Sequence, residues 1–251
     1  MDIKFKYMGI ASGVLIINNK VFIGLDPAFS PLGHIAVFKN FESKRVKAPV
    51  YDEELIRKVD LWLITHCHED HLDDLGVMEI KKNNTFVVCD SNKTKNKLEG
   101  VNGKILKWGE EYAFEKSNIS IKIKSIPAFH GNNFIMRKIV GKVNGYFISI
   151  KENDELKKIY ITGDTVYHRS IVDKLPNRID TMIANMGNAK SDMFGGPLTL
   201  NIEMLNKFVK VLSPNVIIPV HVDDFSHYDM TMDDIKNAGY MMIMPGDEVN
   251  C

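Results

Sequence analysis

The sequence predicts an α/β domain in which strands and helices are mixed along the whole chain. Three observations carry that prediction. Short apolar or alternating runs that read as strands recur from Ile3 to Met244, interspersed with segments of helical spacing. Five of the strand-like runs end in a polar residue able to bind a metal ion. The 251 residues contain no linker, low-complexity run or residue-level repeat, so 1–251 reads as one domain with a sizeable core.

Composition narrows the setting. With 32 basic and 32 acidic residues the formal net charge is zero, which gives no global field for nucleic acid or an anionic membrane. Cys67, Cys89 and Cys251 are an odd count with no C-x-x-C pair, which fits a reducing cytoplasm better than a disulfide framework. Lys4 and Lys6 interrupt the first apolar run, unlike a signal peptide, and no stretch approaches the roughly 18 apolar residues of a membrane span.

Along the chain, Ile3 to Tyr7, Gly13 to Ile17 and Val21 to Leu25 read as strands, the last two joined by an Asn18-Asn19 turn. The third ends in Asp26-Pro27, where proline stops the ladder. Residues 28 to 58 are less regular, with Phe29, His34, Phe38 and a basic cluster at Lys44, Arg45 and Lys47, and close on a helix from Tyr51 to Lys58. Leu61 to Ile64 is an apolar strand followed by Thr65-His66-Cys67-His68-Glu69-Asp70-His71-Leu72-Asp73 and a helix from Asp74 to Lys82. Alternate side chains of extended backbone share a face, so His66 and His68 point one way and Cys67 the other, a simply buried residue. The following turn brings Asp70 and His71 to a neighbouring point. Two pairs of ligands imply two metal ions, and imidazole with carboxylate suits zinc, iron or manganese.

Next come a strand over Thr85 to Cys89, a polar helix over Lys93 to Leu98 and a strand over Ile105 to Trp108. Ile119 to Ile126 alternates isoleucine with serine and lysine, as a half-buried strand does, and ends at Phe129-His130-Gly131. Strands over Asn144 to Ile150 and Lys158 to Ile161 lead to Gly163-Asp164-Thr165. A short helix from Ile171 to Leu175, a strand over Thr181 to Met186 and a glycine-rich loop from Gly187 to Pro197 follow. Thr199 to Leu212 has helical spacing, with Thr199 as N-cap. Val216 to Val220 runs straight into His221, and a helix over Met232 to Ala238 precedes a strand over Tyr240 to Met244.

Asp26, the His66–His71 loop, His130, Asp164 and His221 are therefore gathered from five strand exits, the way a rigid sheet scaffold builds a site. The order D…H-x-H-x-D-H…H…D…H resembles the metallo-β-lactamase superfamily of metal-dependent hydrolases over essentially the whole chain. That resemblance implies a four-layer αβ/βα sandwich with the metal site at one edge between two mixed sheets. It implies that His66, His68 and His130 hold one divalent ion, that Asp70, His71 and His221 hold a second, and that Asp164 bridges them. It also makes Asp26 the carboxylate that orients a metal-bound imidazole. Zinc is the leading metal, with manganese and iron as alternatives.

The stretches around His130, Asp164 and Pro219 to Tyr228 are similar to the branch containing ascorbate-phosphate lactonases and N-acyl-phosphatidylethanolamine phospholipases D. The chain lacks the long N-terminal extension of the phospholipases, has Asp164 where true β-lactamases carry cysteine, and shows no basic insertion like that of the RNA-processing members. The implied chemistry is hydrolysis of a small-molecule lactone, amide or phosphate ester by a hydroxide bridging two metals. Asp70, Asp164 and His227 are the candidate catalytic residues, His227 as proton donor to the leaving group or as an anion contact. His168, His34, Arg137 and Lys138 are candidate substrate contacts, and Phe29, Phe129 and Phe225 are candidate wall or core residues. Loops 28–50, 131–142 and 187–198 would set selectivity. A nuclease or phosphodiesterase is the nearest alternative; a di-iron redox protein and a non-catalytic metal-binding module are the others. The resemblance to the lactonase branch also carries an expectation of a homo-oligomer.

Overall fold

A computed structural model describes residues 1–38, 41–131, 143–190 and 196–251. The chain divides into two compact units: Met1–Leu106 with Asp224–His227 and Ile243–Cys251, and Lys107–Asp223 with Tyr228–Met242.

The first unit is a mixed seven-stranded sheet. It comprises β1 (Ile3–Gly9), β2 (Ser12–Ile17), β3 (Val21–Leu25), β6 (Leu61–Ile64), β7 (Phe86–Cys89), β8 (Gly103–Ile105) and β15 (Glu248–Asn250), ordered β15-β1-β2-β3-β6-β7-β8. The meander β1-β2-β3 is antiparallel, while β3, β6, β7 and β8 run parallel. All of β2 and β6 is buried on both faces, which is why they read as unbroken apolar runs. Between β3 and β6 lie a small hairpin, β4 (Ile35–Val37) and β5 (Glu42–Lys44), and helix α1 (Glu53–Lys58). Helices α2 (Asp74–Asn83) and α3 (Asn92–Lys97) connect the parallel strands. One face of the sheet, including Val14, Ile16, Trp62, Ile64 and Val87, packs with Leu55 and Ile56 of α1, Ile80 of α2 and Leu98 into a single core.

The start of α2 is fixed by a carboxylate and a missing side chain. Asp73 caps the helix by accepting from Gly76 N at 2.7 Å, and it also accepts from Ser30 N (2.6 Å) and Ser30 Oγ (2.7 Å). The backbone after Asp26-Pro27 is thereby tied to the helix, and a Cβ on Gly76 would lie 1.9 Å from Pro27 O. Only glycine fits.

The second unit is a mixed six-stranded sheet, ordered β14-β13-β12-β11-β10-β9, built from β9 (Glu111–Lys116), β10 (Ile119–Ala128), β11 (Val143–Glu152), β12 (Glu155–Ile161), β13 (Thr181–Asn185) and β14 (Val216–Val220). The first four strands are antiparallel neighbours and the last three are parallel. Helices α4 (Arg169–Val172), α5 (Ile202–Leu212) and α6 (Met232–Asn237) supply Ile171, Leu205, Phe208, Leu212 and Ile235 to a core with Tyr160, Met182 and Ala184. Among the described residues no helix is long and apolar enough to cross a membrane.

Several boundaries correct the sequence reading. The strand expected over Ile105 to Trp108 is Gly103–Ile105; Trp108 instead donates its indole N–H to Val143 O at 3.0 Å. Glu111–Lys116 is a strand that the reading passed over, because its charged residues conceal the partly buried Tyr112 and Phe114. The segment Tyr240 to Met244 is not a strand; the closing strand is Glu248–Asn250, paired with β1. Helix α5 is capped by Asn201, which accepts from Met204 N at 2.9 Å, whereas Thr199 Oγ1 accepts from Ala189 N at 3.0 Å and braces the loop instead.

Gly76→Ala is expected to lower unfolding stability by about 2–3 kcal/mol, read as a reduced denaturation midpoint with unchanged slope. A second expectation comes from the end of β7. Burial pushes the Asp90 carboxyl up to about 6, although Thr94 donates to it. The unfolded carboxyl titrates near 3.9, so the native state holds the proton between those values. Stability then falls as pH rises from about 4 to 6 and levels off above, by roughly 3 kcal/mol at most. Asp90→Asn keeps the acceptor for Thr94 and is expected to remove that slope, gaining stability at pH 8 but little near pH 4 in parallel denaturation curves.

Candidate metal centre

Each sequence-predicted ligand sits where a strand ends and the chain turns sharply. In the first unit Asp26 follows β3 with a left-handed φ of +37°, and its N–H donates to Leu63 O of β6 at 3.0 Å. Both carboxylate oxygens of Asp26 are used. Thr65 N donates to Oδ1 at 2.7 Å, Thr65 Oγ1 donates to Oδ2 at 2.7 Å, and His71 Nδ1–H donates to Oδ2 at 2.8 Å. A carboxylate only accepts here, so His71 carries its proton on Nδ1 and presents the Nε2 lone pair. The Thr65 hydroxyl, its own proton committed to Asp26, accepts from His66 Nδ1 at 3.1 Å. His66 is thereby fixed in the same tautomer. Its Nε2 faces His68 Nδ1 at 2.9 Å, and the three rings are in direct contact, His66 with His68 at 4.5 Å and with His71 at 4.1 Å between centroids. Asp70 is buried on the same loop, where His71 N and Leu72 N both donate to His68 O.

In the second unit His130 follows β10, Asp164 follows β12 and His221 follows β14. His130 donates its Nδ1–H to Leu198 O at 3.0 Å, which leaves Nε2 as its ligand atom. That nitrogen lies 3.7 Å from Asp164 Oδ2, and His221 Nε2 lies 3.7 Å from Asp164 Oδ1. One carboxylate thus offers one oxygen to each imidazole. Asn185, at the end of β13, donates its side-chain N–H to Asp164 Oδ1 at 2.9 Å and holds the carboxylate in that orientation. His221 has a left-handed φ of +63°, and Gly163 before Asp164 one of +58°. Gly187 leaves room for the His221 ring, since a Cβ there would stand 2.9 Å from Nδ1.

These residues fit divalent metal. The donors are nitrogen and oxygen only, and the tautomers of His66, His71 and His130 are set by partners on the far side of the rings. Ligand atoms about 2.1 Å from one ion stand roughly 3.0 Å apart at right angles and about 3.4 Å apart in a tetrahedron. The 2.9 Å between His66 and His68 and the 3.7 Å around Asp164 bracket that range.

The remaining candidates divide. His227 is enclosed by Phe38, Phe41 and Phe225, with ring centroids 5.1, 5.2 and 6.0 Å away, and its Nδ1 lies 2.7 Å from Ser43 Oγ. Phe38 also meets the His68 ring edge-on at 5.8 Å. His34 pairs with Glu69 at 3.4 Å. His168 is exposed and accepts from Ser170 N to cap α4, with its ring against Phe129. Phe29 belongs to the first core and Phe225 is buried, while Phe129 packs half-buried against the second core. Cys67 is a half-buried free thiol rather than a buried one. Arg45, read as part of a basic cluster, is fully buried and donates to the carbonyls of Ala28, Ser30 and Lys47. Arg137 and Lys138, with 39–40, 132–142 and 191–195 of the selectivity loops, lie outside the described residues. Thr65, Asn185 and Tyr228 were given no role from sequence. A polar residue closing an apolar strand was the available signal for Thr65 and Asn185; Tyr228 had none.

A profile of the beta-lactamase superfamily domain matches residues 23–222, which include all seven candidate ligands. The chain belongs to the beta-lactamase superfamily. A UPF0173 metal-dependent hydrolase of Pyrococcus abyssi is 23% identical over 235 residues, covering 87% of this chain and 96% of that protein. A possible metal-dependent hydrolase from Veillonella parvula superposes with a TM-score of 0.82 at 20% identity over 100% of both chains. An isothiocyanate hydrolase from Delia radicum gut bacteria superposes with a TM-score of 0.78 at 22% identity over 98% of both. The chain therefore has the metallo-β-lactamase fold, with His and Asp residues suited to hold metal.

Asp26→Asn replaces one of the two acceptor oxygens by an NH2 donor, so Thr65 N, Thr65 Oγ1 and His71 Nδ1 can no longer all be accepted. Zinc affinity, measured by chelator competition, is expected to fall 10- to 100-fold while the protein stays folded.

Proposed function

We propose that this superfamily member hydrolyses a small-molecule lactone, amide or phosphate ester at a dinuclear site, within one hydrolase domain built from both units. His66, His68 and His130 would hold one ion, Asp70, His71 and His221 the other, and Asp164 would serve both. The observation that carries this reading is the Asp164 carboxylate, with one oxygen 3.7 Å from His130 Nε2 and the other 3.7 Å from His221 Nε2. One oxygen facing each imidazole is what supports a bridging role for this carboxylate. Zinc is the favoured metal because nitrogen donors outnumber oxygen donors in the set, with manganese and iron as alternatives.

When bound, two such ions supply a hydroxide nucleophile at neutral pH and positive charge opposite the substrate oxygen. The protein's own groups do the rest. Asp26 and Thr65 keep His71 and His66 in the tautomer that leaves Nε2 available, and Asn185 keeps Asp164 from rotating. Phe38 and Phe41, stacked at 4.7 Å between centroids, give the substrate an apolar wall beside His68. His227, edge-on to both rings, donates the proton that the leaving group needs. The isothiocyanate hydrolase of the same fold supports placing isothiocyanates in the first screen. Three free cysteines and neutral composition support a cytoplasmic location and argue against a nucleic-acid substrate. Self-association remains part of the reading through the lactonase-like stretches.

Elemental analysis of protein purified without chelator tests the assignment. About two equivalents of metal are expected in the wild type, with less in both Asp164→Ala and His66→Ala. A wild type that holds none, and takes up none from zinc, manganese or iron, would overturn it.

A further inference from the structure

His227 is joined to the backbone of β5 through two serines. Its Nδ1 lies 2.7 Å from Ser43 Oγ, Ser43 Oγ lies 3.1 Å from Ser226 Oγ, and Ser226 Oγ accepts from Lys44 N at 3.0 Å. The chain before His227 runs antiparallel beside β5 and the residues after it. Val46 N donates to Asp224 O, Ser226 N donates to Lys44 O, and Arg45 and Phe225 form a bridge. The ring is therefore held in register with Ser43. Ser43 is only 2% exposed, whereas Ser226 is open to solvent.

The direction of the two hydroxyls decides what the ring can do. The Lys44 amide only donates, so Ser226 Oγ is an acceptor at that end and keeps its own proton for another partner. With both hydroxyl protons pointing towards the ring, a head-to-tail chain runs from Lys44 N–H through Ser226 and Ser43 to Nδ1. With both reversed, Ser43 and Lys44 N donate into the same oxygen, and Nδ1–H donates to Ser43. Two features favour the first arrangement. Head-to-tail hydrogen bonds polarise one another in the same sense. The 2.7 Å between Ser43 and Nδ1 is also a usual length for a hydroxyl donor and the short limit for an N–H donor.

With Nδ1 accepting, the neutral ring carries its proton on Nε2. His71 is the opposite case, since its Nδ1 meets Asp26, which only accepts. What stands against Nδ1 thus makes one imidazole a lone-pair ligand and the other a proton donor.

We propose that Ser43 is a positioning residue that holds His227 as the Nε2–H tautomer, and that Ser226 connects the pair to solvent as a proton relay. The proposal rests on the reading that His227 protonates the leaving group. In that step the Nε2–H bond breaks as the leaving atom takes the proton. Nδ1 takes the Ser43 hydroxyl proton, Ser43 takes that of Ser226, and Ser226 takes one from hydronium or a buffer acid. The ring is neutral before and after.

Zinc-loaded protein with nitrogen-15 in its histidine rings, read by long-range proton–nitrogen correlation at about pH 8, where an ordinary imidazole is neutral, tests this. The His227 signals are those missing from His227→Gln. Wild type is expected to show His227 with its proton on Nε2. In Ser43→Ala that preference is expected to fall roughly five- to tenfold, the worth of one neutral hydrogen bond. Ser226→Ala, at an exposed position, is expected to lose part of the preference in the same sense. It keeps the test open if Ser43→Ala folds poorly. A merely structural serine would leave the tautomer ratio where it is. A wild type with the proton on Nδ1, or a ratio that neither substitution moves, overturns the inference and leaves the dinuclear reading intact. A ratio moved by Ser43→Ala alone overturns the link through Ser226. Wild-type protein that takes up no zinc overturns the proposed function, and this inference with it.

Discussion

The first unit depends on what one buried carboxylate does at the end of β3. Asp26 accepts from the Thr65 backbone, the Thr65 hydroxyl and the His71 ring, and through that hydroxyl it also decides the tautomer of His66. Four groups in the loop leaving β6 are therefore set by one side chain at the end of the adjacent parallel strand β3. Carboxylate bonds to these donors are charge-assisted and buried, where they are stronger than in water. The arrangement is also demanding, because a buried carboxylate with fewer donors would be costly. The tight turn at Asp26 is held in place from the other side: Ser12 Oγ donates to Asp26 O and accepts from Ala28 N.

Backbone conformation at the strand exits is a second constraint. Asp26 and His221 both occupy the left-handed region, where side chains other than glycine and asparagine are uncommon. Glycines at 131 and 163 do the same beside His130 and Asp164. A strand continued in extended conformation would carry its next side chain along the sheet. A left-handed residue breaks the progression and swings the side chain off the strand end. The strain at Asp26 and His221 is of the order of 1–2 kcal/mol each, and it is tolerated because the surrounding hydrogen bonds leave no alternative.

How much of this was legible in the sequence depended on the physics of each element. β3, β6 and β14 were read to the residue because short apolar runs bounded by Asp-Pro, by the histidine loop and by His221 have no competing periodicity. The lysine-isoleucine alternation of β10 was equally plain. Glu111–Lys116 was invisible because four of its six residues are charged or small. Met241, Met242 and Met244 imitated a strand by hydrophobicity alone while being exposed in an irregular segment. The candidate ligands themselves were legible because metal binding demands particular side chains at close spacing. Their supporting residues were not, since a threonine, an asparagine and a tyrosine are ordinary in any loop and acquire meaning only from the atom they reach.

Hairpin connectivity leaves each sheet with two unlike ends. The asparagine-rich turns at 18–19, 117–118 and 153–154 sit at the opposite ends of β3, β10 and β12 from Asp26, His130 and Asp164. β10 alone, at about 3.3 Å per residue, separates its turn from His130 by roughly 30 Å. These turns are accordingly natural attachment points. A fluorophore, an affinity tag or a surface tether inserted there is held a full strand length from the candidate ligand of its own strand, so each sheet can be immobilised or labelled at the end away from those residues.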